Sequence, residues 1–347
     1  MPLSLVVGGQ FGSEGKGKIA CHLAKERQAR AVVRVGGPNS GHTVIDPEGR
    51  RRIFRQLPTA AVLPGPICVI SAGSYIDLNV LRAEISQTAL SASRLMIDPK
   101  AVIVAPGFSR LEGAAGLRER LGSTLSGTGQ AVSQRINRVS DIRFARDEPD
   151  LVPYLAETVE FLETLLEKGD RVIAEGSQGF GLSVIHTPYY PYATSRDTTA
   201  AGVLSEIGIS PLRVDEIVLV LRSFPIRVPG NSGPIPHEIN WEQVTLESGS
   251  DHELLELTSV TRSKRRVARF DADIVRRAIK ANCPTLVALN HVDYVDWKCH
   301  GRRSLTDSAV RFIRQTENQI GRPLSIIGTA PDCTFEIASS RTLSATA

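Results

Sequence analysis

Gly8-Gly9-Gln10-Phe11-Gly12-Ser13-Glu14-Gly15-Lys16-Gly17-Lys18 follows the apolar run Leu3 to Val7 and precedes the apolar residues of Ile19 to Leu23. The order is strand, glycine-rich turn, helix start. Its five glycines let the backbone curl tightly around a ligand, and unpaired N–H groups at a helix N-terminus point at negative charge. Lys16 and Lys18 add positive charge, so the stretch reads as an anion-binding loop. A Walker A loop needs Gly, four residues, then Gly-Lys-Ser/Thr. Counting back from Gly15-Lys16 puts Gln10 in the place of the first glycine, and Gly17 in the place of the magnesium-binding hydroxyl. The loop is therefore glycine-rich and cationic without being a Walker A.

The surrounding chain has an ordinary globular composition, 41% hydrophobic and 22% charged, and 347 residues are enough to bury a sizeable core. A net charge of +4 is small for this length, and the basic residues are scattered except around Arg262 to Arg269. That favours anionic small molecules over a nucleic-acid groove. Five cysteines without a C-x-x-C pair suit a reducing cytosol and are expected to be buried structural thiols. No apolar run reaches spanning length, and no charged leader precedes an apolar stretch. The expectation is a cytoplasmic protein without membrane or nucleic-acid partners.

Short apolar runs at Ala31 to Val35, Ile67 to Ile70, Ala101 to Val104, Arg171 to Ala174, Glu216 to Leu221 and Pro284 to Leu289 read as buried strands. Between them, Leu151, Leu155, Val159, Leu162 and Leu166 share a helical face closed by Gly169, and Leu305, Ala309, Ile313 and Ile320 do the same before Gly321. The fold class is α/β, with a mostly parallel central sheet flanked by helices. A single domain with insertions is expected to occupy residues 1–347, with a frayed tail at 338–347.

Ligands of such sheets sit beyond the carboxyl ends of the strands, which directs attention to the loops there. Val35 runs into Gly36-Gly37-Pro38-Asn39-Ser40-Gly41-His42-Thr43, where a histidine in a glycine-rich turn is either structural or a proton donor to a developing oxyanion. Gly122-Ser123-Thr124-Leu125-Ser126-Gly127-Thr128-Gly129-Gln130 before a helix suits a phosphate, or is a flexible surface loop. Glu175 to Gly179 and Tyr190 to Thr199 are denser in amides, hydroxyls and glycines than packing requires. Thr261 to Arg266 can grip a carboxylate or phosphate, or form a solvated basic face. Asn290-His291-Val292-Asp293 follows an apolar strand, and a carboxylate there can accept two hydrogen bonds from a guanine edge.

Together these loops resemble the adenylosuccinate synthetase family, whose fold is related to the P-loop NTPases. The matching motifs are Gly12-x-Glu14-Gly15-Lys16-Gly17-Lys18, Asn39-x-Gly41-His42-Thr43, Glu175-Gly-x-Gln178-Gly179, Tyr190-Pro-Tyr-x-Thr194-Ser195, Thr198-Thr199-Ala200 and Ile327-Gly328-Thr329-Ala330-Pro331-Asp332. The family joins aspartate to C6 of a purine nucleotide: a nucleoside triphosphate with magnesium phosphorylates O6 of IMP, and the aspartate amine displaces that phosphate.

The resemblance implies roles for residues at the matching positions. Ser13, Lys16, His42 and Gln178 fall at catalytic positions, His42 as general acid at O6. Gly12, Glu14, Gly15, Gly17, Lys18, Gly41, Thr43, Asn290, Asp293, Gly328, Thr329 and Pro331 fall where the donor nucleotide and its phosphates bind. Ser13, Asn39, Ser123, Thr124, Gln178 and Thr194 fall around the acceptor nucleotide, joined by Arg138 from the second subunit of a homodimer. Val260, Thr261 and Arg265 fall on the aspartate substrate, and Ser13 and the Gly41 carbonyl on Mg2+.

The chain departs from the family at Ser13, where members carry the aspartate that takes the N1 proton of IMP and helps hold magnesium. Guanine differs from hypoxanthine by a 2-amino group beside N1, and a serine leaves room for it. The chain thus resembles the phage-encoded 2-aminoadenylosuccinate synthases, which act on dGMP in a pathway leading to 2,6-diaminopurine DNA. Ser263 stands where the family has an arginine near the ribose, which suits a deoxyribonucleotide. His291 replaces the usual lysine beside Asp293, leaving ATP, dATP or GTP as donor, with ATP favoured. The alternatives are an ordinary adenylosuccinate synthetase using IMP and GTP, and a catalytically silent nucleotide-binding protein.

Overall fold

All but one of the apolar runs assemble into one sheet because each is short, almost free of polar interruptions and buried on both faces, the pattern of parallel strands covered by helices. Residues 2–258 and 262–337 are described by the structure, a computed structural model. In chain order the strands of the main sheet are β1 (Leu3–Gly8), β2 (Ala31–Arg34), β3 (Ile67–Ile70), β4 (Leu95–Ile97), β5 (Val172–Glu175), β6 (Val214–Arg222), β7 (Leu286–Asn290), β8 (Ile326–Gly328) and β9 (Thr334–Glu336). The spatial order is β9-β8-β7-β6-β1-β5-β2-β3-β4, and every neighbouring pair is parallel except β8 with β9. β1 is therefore central, with β6 on one side and β5 on the other.

Side chains alternate across this sheet with period two. Leu3, Leu5 and Val7 of β1 join the larger core with Val33, Ala174 and Leu219. Val6 faces the other way, packing with Ile19, Ala20 and Leu23 of helix α1 (Lys16–Glu26). The apolar face of α1 thus pulls the helix back over β1, and its N-terminus is left standing at the strand's carboxyl end.

Three expectations need correction. Val102–Ile103 pairs with Tyr75–Ile76 in a separate two-stranded sheet and bridges to Phe144, packing with Ala131 and Val132, and the main sheet's edge is instead β4. The helix expected from Leu151 starts only at Thr158, because Pro153 has no N–H to give to a helix interior. Pro149–Tyr154 forms a 3-10 turn instead. The cysteines are all free, but Cys283 is exposed and Cys333 half-buried, while Cys21, Cys68 and Cys299 are buried.

The last long helix, Asp307–Ile320, is as expected, capped by Thr306 and closed by Gly321 in the left-handed region. The tail 338–347 lies outside the described residues. Among the described residues, no helix is long and apolar enough to cross a membrane.

Candidate active site

The carboxyl ends of β2, β5, β6 and β7 each finish in one polar residue, respectively Arg34, Glu175, Arg222 and Asn290, directly after a stretch of three or more apolar residues. All four are buried, and they hold the walls of one cavity of about 980 Å³. Ser13, Lys16, Lys18, Asn39, Gly41, His42 and Thr43 line it, as do Ser123, Thr124, Gln178, Thr194, Arg265, Asp293 and Pro331. Loops separated by hundreds of residues are thus gathered around the turn after β1. Gly12, Gly15 and Gly17 complete the floor.

Two glycines are fixed by close approach. A Cβ on Gly15, at φ +92°, would lie 2.6 Å from Asn290 Nδ2, and one on Gly17 would lie 2.5 Å from Thr59 Cγ2 and 2.8 Å from His42 Cβ. The loop is organised around its own carboxylate. Glu14 is fully buried; its Oε1 accepts from the N–H groups of Gln10 (3.1 Å) and Gly12 (2.8 Å), and its Oε2 accepts from Lys16 Nζ at 2.6 Å. Glu14 therefore lies beneath the cavity rather than in its wall, and it holds the lysine that the sequence places on the transferred phosphoryl group.

Ser13 tops this loop, exposed to the cavity and in the left-handed region at φ 57°. Its carbonyl accepts from Arg222 Nη1 at 3.0 Å. Arg222 also donates from Nε to Phe224 O and pairs with Glu256. Burial pushes the Glu256 carboxyl up, but the Arg222 guanidinium outweighs it and holds the group at about 2. Position 13 is thus fixed through its main chain while its side chain stays open.

His42 does not sit within the turn; it opens the hairpin strand His42–Ile45, paired with Arg51–Phe54. Its Nδ1 lies 2.5 Å from Glu175 Oε1, and Glu175 Oε2 accepts from the N–H and hydroxyl of Thr59 at 2.9 and 2.8 Å. Arg34 spans the approach, donating to the carbonyls of Phe54, Leu57 and Ser40. Burial, then the Arg34 charge, lowers the His42 pKa to about 4, against the pull of Glu175. The Glu175 carboxyl is itself depressed, chiefly by His42 working against burial. The pair is therefore a neutral imidazole donating Nδ1–H to a carboxylate, with Nε2 left for a ligand.

This shift has a consequence for stability. An unfolded imidazole titrates near 6.5 and the buried one near 4, so in that window the unfolded chain binds more protons and folding weakens as pH falls. Melting temperature is expected to drop from pH 6.5 to 4, and less steeply in His42→Asn. Equal slopes in scanning calorimetry of the two proteins would contradict the buried neutral histidine.

The loop at Gly122 to Gln130 departs from its expected use. The N–H groups of Gly127, Gly129 and Gln130, at the start of helix Thr128–Ile136, are taken by the Glu112 carboxylate at 2.9, 2.9 and 3.2 Å. The helix end is filled by the chain's own anion, and the loop meets the cavity through Gly122, Ser123, Thr124, Ser126, Thr128 and Gly129.

At the far end, Asn290 Nδ2 donates to Glu14 O at 2.7 Å, and its Oδ1 is buried without a partner. Lys18 Nζ donates to Ala330 O at 3.0 Å, and burial lowers its pKa to about 8 against the opposing charge of Asp293. Gly328 lies beneath, where a Cβ would meet Asn290 Oδ1 and Lys18 Nζ, and Thr329 donates its hydroxyl to Arg302 O at 2.7 Å. Asn290, Gly328 and Thr329 therefore shape the cavity from behind.

Arg138 is exposed, at φ 56°, just past helix Thr128–Ile136, and is not part of the cavity wall within one chain. Val260 and Thr261 lie outside the described residues. Arg265 lines the wall and donates from Nε to Leu257 O at 3.3 Å. Sequence reasoning missed the supporting roles of Arg34, Glu112, Glu175, Arg222 and Glu256. For Arg34, Glu175 and Arg222 the available signal was a polar residue closing an apolar strand; Glu112 and Glu256 carry no such signal.

The donor set also bears on magnesium. Among the described residues no group of three or more His, Cys, Asp or Glu can hold a metal ion. Mg2+ is commonly bound through one or two protein oxygens together with substrate phosphates and waters. The Ser13 hydroxyl and Gly41 carbonyl, on the same cavity, fit an ion that arrives with phosphates.

Comparison with known proteins identifies the family. The family model described as adenylosuccinate synthetase matches residues 5–147 and 143–298. The chain is 35% identical to adenylosuccinate synthetase of Archaeoglobus fulgidus over 337 residues, covering 96% of each. It is likewise 35% identical to that of Thermococcus onnurineus over 350 residues, covering 99% of this chain and 100% of the relative. Among solved structures, it superposes with a TM-score of 0.82 on cyanophage S-2L succinoaminodeoxyadenylate synthetase (PurZ) bound to dGMP and dATP, at 27% identity over 99% of this chain and 97% of the other. Adenylosuccinate synthetase from Plasmodium falciparum gives the same TM-score of 0.82 at 21% identity, over 95% and 98%, a likeness of fold. With its family model spanning most of the length and its phosphate loop, His42 and Gln178 on one cavity, the chain belongs to the adenylosuccinate synthetase family, ligases that form carbon–nitrogen bonds.

Proposed function

We propose that the chain condenses L-aspartate with dGMP at C6, driven by ATP, giving 2-amino-2′-deoxy-N6-succinyladenylate, ADP and phosphate. The observation that carries this reading is Ser13, a small neutral side chain open to the cavity on an otherwise intact phosphate loop. The likeness to the cyanophage protein bound to dGMP and dATP supports it. Bound Mg2+ would neutralise phosphate charge, held by Ser13 and the Gly41 carbonyl.

The chain's own groups orient the rest. Lys16 leaves Glu14 for the transferred phosphoryl group, and the loop N–H groups cradle it. His42 Nε2 faces the phosphorylated C6 substituent; the charge of that phosphate together with Glu175 draws a solvent proton onto Nε2, and the resulting imidazolium shares it with the leaving oxygen. Ser13 accepts from the 2-amino group of guanine. Asn39, Ser123, Thr124 and Thr194 take the 5′-phosphate, with Gln178 at the base. Arg265 holds an aspartate carboxylate, joined by Val260 and Thr261. O6 attacks the γ-phosphorus of ATP as ADP leaves and the N1 proton passes to water; the amine of aspartate then attacks C6 and gives a proton to solvent, the C6–O bond breaks, and phosphate leaves with that oxygen.

Arg138 is exposed and does not line its own cavity, which suits a homodimer that lends it across the interface; light scattering showing an active monomer would refute this. The protein works in the cytoplasm, that of a host if phage-encoded.

A second reading, IMP as acceptor, is favoured by the 35% identity to ordinary synthetases. Mass spectrometry of reactions with aspartate, magnesium and ATP, one with dGMP and one with IMP, separates the two. A succinyl adduct from dGMP alone is expected. An adduct from IMP alone would overturn the dGMP reading, and no adduct or phosphate release in either would mean a silent nucleotide binder.

A further inference from the structure

We propose that Arg262 is a second carboxylate clamp for the aspartate substrate: with Arg265 on one carboxylate, the Arg262 guanidinium takes the other. The inference deepens the ligase reading above and rests on its use of aspartate, whichever nucleotide is the acceptor.

Residues 256–258 and 263–265 run antiparallel. Thr258 N–H donates to Ser263 O and Arg265 N–H to Glu256 O, both at 2.9 Å, with a bridge between Leu257 and Lys264. Side chains of such a ladder alternate in direction. Lys264 sends its ammonium to Glu242, 3.3 Å away and outside the cavity wall, and an extended Arg262 would follow it. Instead the chain enters the left-handed region at Arg262, φ 55°, whose N–H bonds back to Thr258 O at 3.1 Å. The turn breaks the alternation, and Arg262 lines the cavity together with Arg265 and Glu256. It is exposed there, and no side-chain hydrogen bond or ion pair ties its guanidinium to the described residues.

Charge indicates what that guanidinium is for. The amine that attacks C6 must be unprotonated, so the reacting aspartate carries two negative charges, one on each carboxylate. Behind the hairpin, Arg222 and Glu256 cancel as a pair, and His291, 3.7 Å from Glu256, is held neutral by burial and the Arg222 charge. Arg265 is then a single positive charge facing a dianion. Lys16 serves Glu14 and the phosphoryl group, Lys18 donates to Ala330 O, and Arg227 is spent on the carbonyls of Tyr192 and Pro234. Arg51 belongs to the hairpin of His42, and Arg120 to the helix that leads into Gly122. Arg262 stands three positions before Arg265 on the same hairpin, with its donors unspent. A guanidinium fork matches a carboxylate edge, and two forks on one small diacid fix its body while leaving the amine free to be aimed at C6.

The test is steady-state kinetics of the full-length protein, with each substrate varied in turn, for the wild type, Arg262→Gly and Arg262→Lys. Glycine adopts φ 55° readily, so the first variant keeps the turn. It is expected to raise KM for aspartate by at least about tenfold, the order of one lost hydrogen-bonded charge pair. KM for the acceptor and for ATP should stay within about twofold, and kcat should fall by less than about threefold, the pattern of lost substrate binding. Arg262→Lys keeps the charge without the fork, and its aspartate KM should lie at least about threefold below that of the glycine variant. Competitive inhibition by succinate, which has both carboxylates and no amine, should weaken in step with KM.

An unchanged aspartate KM in Arg262→Gly overturns the proposal. So does an equal rise in KM for all three substrates, which would mark a merely structural role, and so do equally raised aspartate KM values in the glycine and lysine variants. The acceptor is read separately, from the mass of the succinyl product. A raised aspartate KM in an enzyme that uses IMP alone sinks the dGMP reading and leaves this one standing; an unchanged KM in a dGMP-specific enzyme does the reverse. No succinyl product from either acceptor overturns both.

Discussion

Lys16→Met is expected to lower turnover by at least 10²- to 10³-fold, the usual order for losing a charge aimed at a transition-state oxyanion. It is also expected to destabilise the fold. Lys16 is 3% exposed and its ammonium rests 2.6 Å from the fully buried Glu14 carboxylate. Removing one member of a buried pair leaves the other uncompensated, at a cost of about 3–5 kcal/mol. The two N–H groups on Glu14 Oε1 place the cost toward the lower end.

Adding Glu14→Gln separates the two effects. The amide oxygen keeps the contacts with Gln10 and Gly12 while the charge is gone, so the double variant should recover most of the stability in urea unfolding and none of the phosphate release. Restored turnover in that variant would remove Lys16 from the chemistry.

The second large effect is an exchange of acceptors. Ser13→Asp returns a carboxylate to the rim of the cavity and is expected to cut kcat/KM for dGMP by about 10²-fold or more, through crowding of the 2-amino group. Activity with IMP should rise, because an ionised carboxylate can take the N1 proton that a serine hydroxyl cannot at pH 7. The fold should not suffer: φ at this position is 57°, in the left-handed region where Asp is favoured over most residues. Competition between equal concentrations of dGMP and IMP, read by product mass, measures the exchange. An unchanged product ratio would mean that residue 13 does not choose the acceptor.

The parts of this site legible in sequence are those in which the chemistry is local. The loop from Gly8 to Lys18 announces itself because strand, glycines, lysines and helix follow one another within a few turns of chain. Arg34, Glu84, Glu112 and Arg222 do not, because their partners are mostly backbone groups far away. Glu84 accepts from the N–H groups of Arg55, Gln56 and Leu57, and Arg222 reaches back 209 positions to Ser13. A lone charge in an apolar stretch says only that something must satisfy it. The missed edge strand Leu95–Ile97 illustrates the same limit: its three residues are a weaker apolar signal than Ala101 to Val104, yet they continue the parallel ladder of Cys68 to Ile70. The helix expected from Leu151 is absent for a local reason instead, since Pro153 interrupts a run whose apolar periodicity continues across it.

The grip of Arg222 on the Ser13 carbonyl also bears on how such a specificity arises. A residue whose main chain is anchored from behind, and whose side chain meets only the ligand space, contributes little to folding and much to choice of substrate. Selection can then exchange this one residue without a compensating change elsewhere, and a lineage can cross between acceptors while its scaffold stays put. The same arrangement makes the trait portable: a related ligase with its own buried arginine at this point is one codon change from trying the other nucleotide.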